Sequence, residues 1–139
     1  MSRLTEEQIA KICSLALEMR ERSYVPYSHF AVGAGLLTED GKIYGGCNIE
    51  NASFGATVCA ERTAIFKAVS EGSRKLRALA IAGGKEGLPP DDYCPPCGIC
   101  RQVMTEFMGD DFEIFLVRGP GDWHRYTMDE ILPLRFNLI

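Results

Sequence analysis

Six residues in two short stretches have the types and spacing to do chemistry at a metal ion. "VCAER", positions 58–62, carries Cys59, Glu61 and Arg62, and "CPPCGIC", positions 94–100, carries Cys94, Cys97 and Cys100. The second stretch is two overlapping C-x-x-C motifs. At a helix start this spacing projects two sulfurs from one turn, which suits a metal clip and also a thiol–disulfide redox site. The redox form expects its motif after an early strand, whereas this one follows a long loop late in the chain. It also leaves Cys59 and Glu61 without a role. The metal form uses them. Three thiolates with an open fourth position make a catalytic zinc pattern, and four make a structural one. Cys94 is the competitor, able to replace Cys97 or to close the site as a fourth ligand.

An open position takes water, and the metal lowers its pKa. Glu61 beside that water can carry the proton; alone, it would be an ordinary solvated glutamate near a helix N-terminus. Residues i and i+2 diverge on a helix, so Glu61 and Cys59 cooperate only if the metal sits off the helix end. Three thiolates carry −3 against the +2 of zinc. Two helix N-termini, each worth about half a positive charge, offset part of the excess. Arg62, three residues after Cys59, can donate to sulfur and offset more. Its plainer role is a surface salt bridge.

Around these residues the pattern predicts one α/β domain with a mixed sheet. Thr5 and Gln8 have capping-box spacing, with Leu4 and Ile9 as the staple, and open a helix that ends near Arg22. "FAVGAGLL" and "IYGGCNI" read as a hairpin about the Asp-Gly of "TEDGK". A helix follows over 58–71, stopping at Gly72, then the buried strand "LRALAIAG", a Pro/Gly-rich loop, and the helix "CGICRQVMTEFM". The strand "FEIFLV" and a short helix in "MDEILPLRF", cut by Pro133, end the chain. Strands joined by helical crossovers should be parallel. That places the starts of the two cysteine-bearing helices at one sheet edge, where open α/β sheets bind ligands.

The 139 residues fit one domain spanning 1–139, and 46% are hydrophobic, as in ordinary globular proteins. With 15 basic and 19 acidic residues the net charge is −4, which disfavours a nucleic-acid binder. No apolar run approaches a membrane span, and the first residues lack a signal-peptide core. A cytoplasmic protein is expected, with its six cysteines mostly reduced. Only two histidines are present, so a metal site must be thiolate-rich. Cys13 and Cys47 read as small buried hydrophobes.

Cys59-Ala60-Glu61 together with Pro96-Cys97-Gly98-Ile99-Cys100 resembles the signature of the zinc-dependent cytidine deaminases. The likeness runs from about residue 5 to about 136 and is strong across "YVPYSHFAVGAGLLTEDGKIYGGCNIENASFGATVCAERTAIFKAVSEG". It is weakest at 84–94 and at "GPGDWHRY". It implies a three-layer α-β-α sandwich around about five strands and one zinc per subunit on Cys59, Cys97 and Cys100. Glu61 is then the proton shuttle, protonating N3 of cytosine and then the leaving nitrogen. Phe30, Asn48, Glu50 and Ala60 fall at substrate-binding positions, with Phe30 on the pyrimidine and Asn48 and Glu50 on the ribose hydroxyl. A carboxylate there would repel phosphate, which favours a free pyrimidine nucleoside. The implied reaction is deamination of cytidine and deoxycytidine in pyrimidine salvage. Pro95 stands where the family usually has serine or threonine; the backbone carbonyl used there is kept. Phe54 stands where some relatives have tyrosine. Short chains of this family resemble homotetramers, and Phe136 would cap a pocket in such an assembly. His29 is not needed, because the three-thiolate set is complete.

Overall fold

The strand predicted at "LRALAIAG" is apolar at every position but Arg77 because both of its faces are covered. In the computed structural model, which describes residues 3–138, it forms β3, Leu76–Lys85, at the centre of a five-stranded sheet. Its side chains divide by size. Ala78, Ala80 and Ala82 face helix α1, Glu6–Met19, with Ile9, Ile12, Cys13 and Ala16. Leu76, Leu79 and Ile81 face the opposite layer, built on α2, Ala60–Ser70, and α3, Gly98–Phe107. This is the three-layer α-β-α arrangement.

Small residues let α1 lie close to the sheet. A Cβ at Gly33 would fall 2.0 Å from the Ala16 carbonyl oxygen, and one at Gly35 would fall 2.2 Å from that of Ile12. Both glycines lie in β1, Phe30–Thr38, so α1 must rest on the bare backbone of that strand. The helix begins as read: Thr5 Oγ1 accepts from the Gln8 amide at 3.0 Å, and Gln8 Oε1 accepts from the Thr5 amide at 2.9 Å.

The sheet order is β2-β1-β3-β4-β5, with β2 at Ile43–Cys47, β4 at Met108–Gly119 and β5 at Asp122–Thr127. β1 pairs antiparallel with both β2 and β3, and β3 pairs parallel with β4. The crossover through α2 thus passes over β1, so β2 and β3 run in the same direction without being neighbours. The consequence for the site is the expected one: the chain leaves β2 and β3 at the same edge, and α2 and α3 both start there.

The residue pattern alone predicted four strands, and β5 is the addition. It is an antiparallel edge strand on β4, reached through Pro120-Gly121, with Gly121 at φ +71°. Its residues are half-buried or exposed, so it lacks the apolar alternation that marks a strand. Pro followed by a positive-φ Gly is the turn signal that does point to it. Other boundaries shift slightly. Val58 precedes α2 and bridges to Ile49, β4 begins directly after α3, and the last helix, α4, is confined to Met128–Ile131 by a Thr127–Glu130 capping box. No helix among the described residues is long and apolar enough to cross a membrane.

Candidate metal centre and substrate site

Cys59 is the N-cap of α2 and Cys97 the N-cap of α3, both with extended backbone, at ψ 156° and 164°. Their thiols therefore stand off the helix ends. Cys100 follows in the first turn of α3 and is fully buried. The three sulfurs lie within 4.8 Å of one another, with Cys59 and Cys97 3.5 Å apart. An N-cap Cys59 also resolves the i, i+2 difficulty. Glu61 is the second helical residue, whereas Cys59 is not helical at all, so helix periodicity does not separate them. Gly46 in β2 seats this helix start: a Cβ there would fall 2.5 Å from the Ala60 carbonyl oxygen.

The electrostatics of the site favour a cation. The Cys59 thiol is held down at about 5, first by the hydrogen bond from Cys100 and then by the Arg62 guanidinium, with burial opposing. Arg62 Nη2 donates to Cys59 Sγ at 3.4 Å, as its spacing predicted. Cys100 moves up, because its proton serves the Cys59 sulfur and because it is buried. Glu61 is only 3% exposed, and burial pushes its carboxyl up to about 7. Its own backbone amide and the Cys100 thiol oppose that rise. Arg62 Nε is buried without a hydrogen-bond partner among the described residues. Three convergent sulfurs, one already acidic, at two helix N-termini beside a guanidinium are a donor set that fits zinc.

Cys94 is not in this cluster. It packs with the Phe30 ring over Gly83, where a Cβ would fall 2.7 Å from the Cys94 sulfur and 3.0 Å from the ring. Burial, with Glu61 and Cys59 nearby, pushes its thiol up to about 11. Its half-buried sulfur serves packing, and its position outside the three-sulfur group leaves it out of the ligand set. His29 engages Glu86, Nδ1 to Oε1 at 3.1 Å, and not the cysteines. Cys13 and Cys47 are buried, and all six cysteines are free.

The remaining predicted residues form a second corner at the start of β1 and the end of β2. Phe30 opens β1 and is 41% exposed, unusual for a large aromatic ring on a strand. Asn48 Oδ1 accepts from the Val32 amide and its Nδ2 donates to the Phe30 carbonyl, both at 2.9 Å. Glu50 Oε1 accepts from the Tyr27 and Ser28 amides at 2.9 and 3.1 Å, and Oε2 accepts from the Ser28 hydroxyl. These bonds, the hydroxyl's first, hold the Glu50 carboxyl below its ordinary range. The Ala60 side chain is fully buried, so only its backbone, at the first helical position, can meet a ligand. A recess of about 210 Å³ lies beside Glu50, lined by Tyr27, Asn51, Phe54 and Thr57. A larger cavity, about 650 Å³, is elsewhere: Arg77, Met108, Glu113 and Thr127 line it, and no cysteine does.

Two supports escaped the sequence reading. Arg20 donates to the Ala31 and Lys85 carbonyls at 2.9 and 3.0 Å, pinning the start of β1 to the end of β3. Tyr93, just before the cysteine run, stacks on His124 at 4.2 Å between centroids and donates to Asp122, which Arg118 also holds at 2.8 Å. The β4–β5 hairpin thus anchors the approach to Cys97. The second could not be found without knowing that β5 exists.

A zinc-binding deaminase domain is the class that this fold and thiolate cluster define. The family model for the cytidine and deoxycytidylate deaminase zinc-binding region matches residues 6–115, and the chain belongs to that family. It is 46% identical over 129 residues to the cytidine deaminase of Sporosarcina psychrophila, covering 93% of this chain and 91% of the relative. To the cytidine deaminase of Halalkalibacterium halodurans it is 49% identical over 121 residues, 87% of this chain and 88% of the relative. Among solved structures, cytidine deaminase from Burkholderia pseudomallei superposes with a TM-score of 0.80 at 39% identity, covering 96% of this chain and all of that one.

Proposed function

We propose that this protein hydrolyses cytidine and deoxycytidine to uridine and deoxyuridine, releasing ammonia, in pyrimidine salvage. The observation that carries the reading is the convergence of Cys59, Cys97 and Cys100 beside the buried Glu61. Zinc held by the three thiolates supplies a Lewis acid and an activated water at neutral pH. Glu61 does the proton work: it accepts a proton from the attacking water and delivers it to N3, then accepts the remaining proton of that oxygen and delivers it to the amino nitrogen as the C4–N bond breaks. Burial raises the proton affinity of this carboxyl, which helps it take a proton before returning it. Arg62, donating to Cys59, draws off thiolate charge that would weaken the metal as an acid.

Phe30 gives the pyrimidine a stacking face. Asn48 and Glu50 hold the ribose hydroxyls, the carboxylate as a pure acceptor. Its negative charge favours a neutral sugar over a phosphate, and so a nucleoside over a nucleotide or nucleic acid. The Ala60 backbone and the Pro95 carbonyl complete the polar contacts to the base, the latter accepting from the leaving amine. The rest of the reading is one catalytic domain over 1–139, without nucleic-acid or membrane partners, in the cytoplasm, where free thiols persist. A homotetramer is part of it. Phe136 supports this: it is 65% exposed rather than packed in its own core, and its carbonyl is fixed by Gln102 Nε2 at 2.8 Å.

The test is ammonia release from cytidine by zinc-loaded protein, with Glu61→Gln as the paired control. Turnover lost in the variant, with zinc retained, supports the reading. A folded wild-type protein holding one zinc and releasing no ammonia would reject cytidine as the substrate.

A further inference from the structure

We propose that Ser28 is the positioning residue for ribose recognition, setting the one rotamer of Glu50 that meets the sugar; this rests on the functional reading above. Ser28 Oγ accepts the Phe30 amide proton at 3.1 Å and donates its own proton to Glu50 Oε2. The hydroxyl therefore has a fixed direction, with one lone pair filled from Phe30 and its only proton given to Glu50. The other carboxylate oxygen is held by the Tyr27 and Ser28 amides. Both oxygens of Glu50 are thus gripped by one turn, and the outer lone pairs remain for a ligand.

The turn that makes this grip is forced. His29 has φ +57°, a left-handed conformation that few non-glycine residues adopt. It is held there from three directions. Its amide donates to the Val25 carbonyl at 2.9 Å, its carbonyl accepts from the Glu86 amide at 2.8 Å, and its ring meets the Glu86 carboxylate at 3.1 Å. The left-handed residue brings the hydroxyl of residue 28 back onto the amide of residue 30. Glu50 is otherwise a partly exposed, three-torsion side chain on a loop. Without the hydroxyl it keeps only the Oε1 bonds and can swing Oε2 away from the sugar.

The experiment compares kcat and KM of wild type, Ser28→Ala, Ser28→Thr and Ser28→Val on cytidine and on 2′,3′-dideoxycytidine, which lacks the ring hydroxyls. Thr and Val share a shape and differ in the hydroxyl, so that pair stays informative if the alanine variant folds poorly. Ser28→Ala and Ser28→Val are expected to raise KM for cytidine about tenfold, the scale of one hydrogen bond to a charged group. Their kcat should change little and their KM for the dideoxynucleoside should not change, while Ser28→Thr stays near wild type. An unchanged cytidine KM in Ser28→Val, or an equal rise on both nucleosides, would overturn the proposal and leave the deaminase reading intact. No cytidine turnover by the wild type would overturn both.

Discussion

The metal corner and the sugar corner stand at the same edge of one sheet and are built in opposite ways. The metal corner rests on two helix N-termini, buries Cys100 and Glu61 while Cys97 stays exposed, and is electrostatically unsettled. It holds a carboxyl near 7, a thiol near 5 and a guanidinium Nε with no partner among the described residues. The sugar corner rests on a loop and a strand end, is open to solvent, and has Asn48 and Glu50 already hydrogen-bonded through both ends of their side chains. The contrast follows from the tasks. A site that moves protons needs groups poised between two states, which burial supplies. A site that only holds a neutral sugar needs groups fixed in one state, which local hydrogen bonds supply.

The largest test of this contrast is Glu61→Gln. The amide keeps the shape and removes the proton carrier, so kcat should fall by roughly two to four orders of magnitude. Zinc content and cytidine binding should remain. Near-wild-type kcat would take Glu61 out of the mechanism and remove the poised half of the comparison.

Glu50→Ala comes next. It removes a holder and not a reactant, so the damage should fall on KM, roughly ten- to a hundredfold for cytidine, the size of losing a charge-assisted hydrogen bond. On 2′,3′-dideoxycytidine the loss should be small. Comparable losses on the two nucleosides would mean that Glu50 supports the fold and not the ribose.

Legibility in the sequence divides along similar lines. The metal corner could be read early because its geometry is local: Cys97 and Cys100 lie in one turn, Cys59 and Arg62 in another, and only the crossover rule was needed to join them. The α1 layer was legible for the same reason, through its capping box and apolar face. The sugar corner was legible only by resemblance, because "NIEN" carries no periodic or spacing signal. The grip of Ser28 depends on His29 being left-handed, which no glycine announces. β5 was hidden because an edge strand with one half-buried Trp123 shows no alternation, and the Tyr93 anchor was hidden with it. What stayed unread was in each case a contact between segments whose pairing had first to be known.

Arg62→Gln should have a smaller effect that sharpens the account of the metal corner. Removing a group that hydrogen-bonds a metal ligand typically costs about 10- to 100-fold in metal affinity or activity, and the low end fits here because the two helix ends remain. The reading is a competition of each protein with a chromogenic zinc chelator, which registers the thiolates whether or not substrate turns over. Unchanged zinc affinity together with unchanged kcat would reduce Arg62 to packing.

Cys94→Ser should do least. Cys94 lies between the two corners, against the Phe30 ring over Gly83, close enough to Glu61 and Cys59 for burial and charge to hold its thiol protonated at about 11. A serine keeps the size and cannot serve as a soft ligand. The cobalt-substituted wild type and variant should therefore give the same spectrum, that of three thiolates with an open fourth position, and turnover should change little. A wild-type spectrum of four thiolates that reverts to three in Cys94→Ser would instead make Cys94 the ligand that closes the site. The corner described as poised for chemistry would then be a structural clip. The sulfur positions argue for the first outcome, since the three that lie within 4.8 Å of one another do not include that of Cys94.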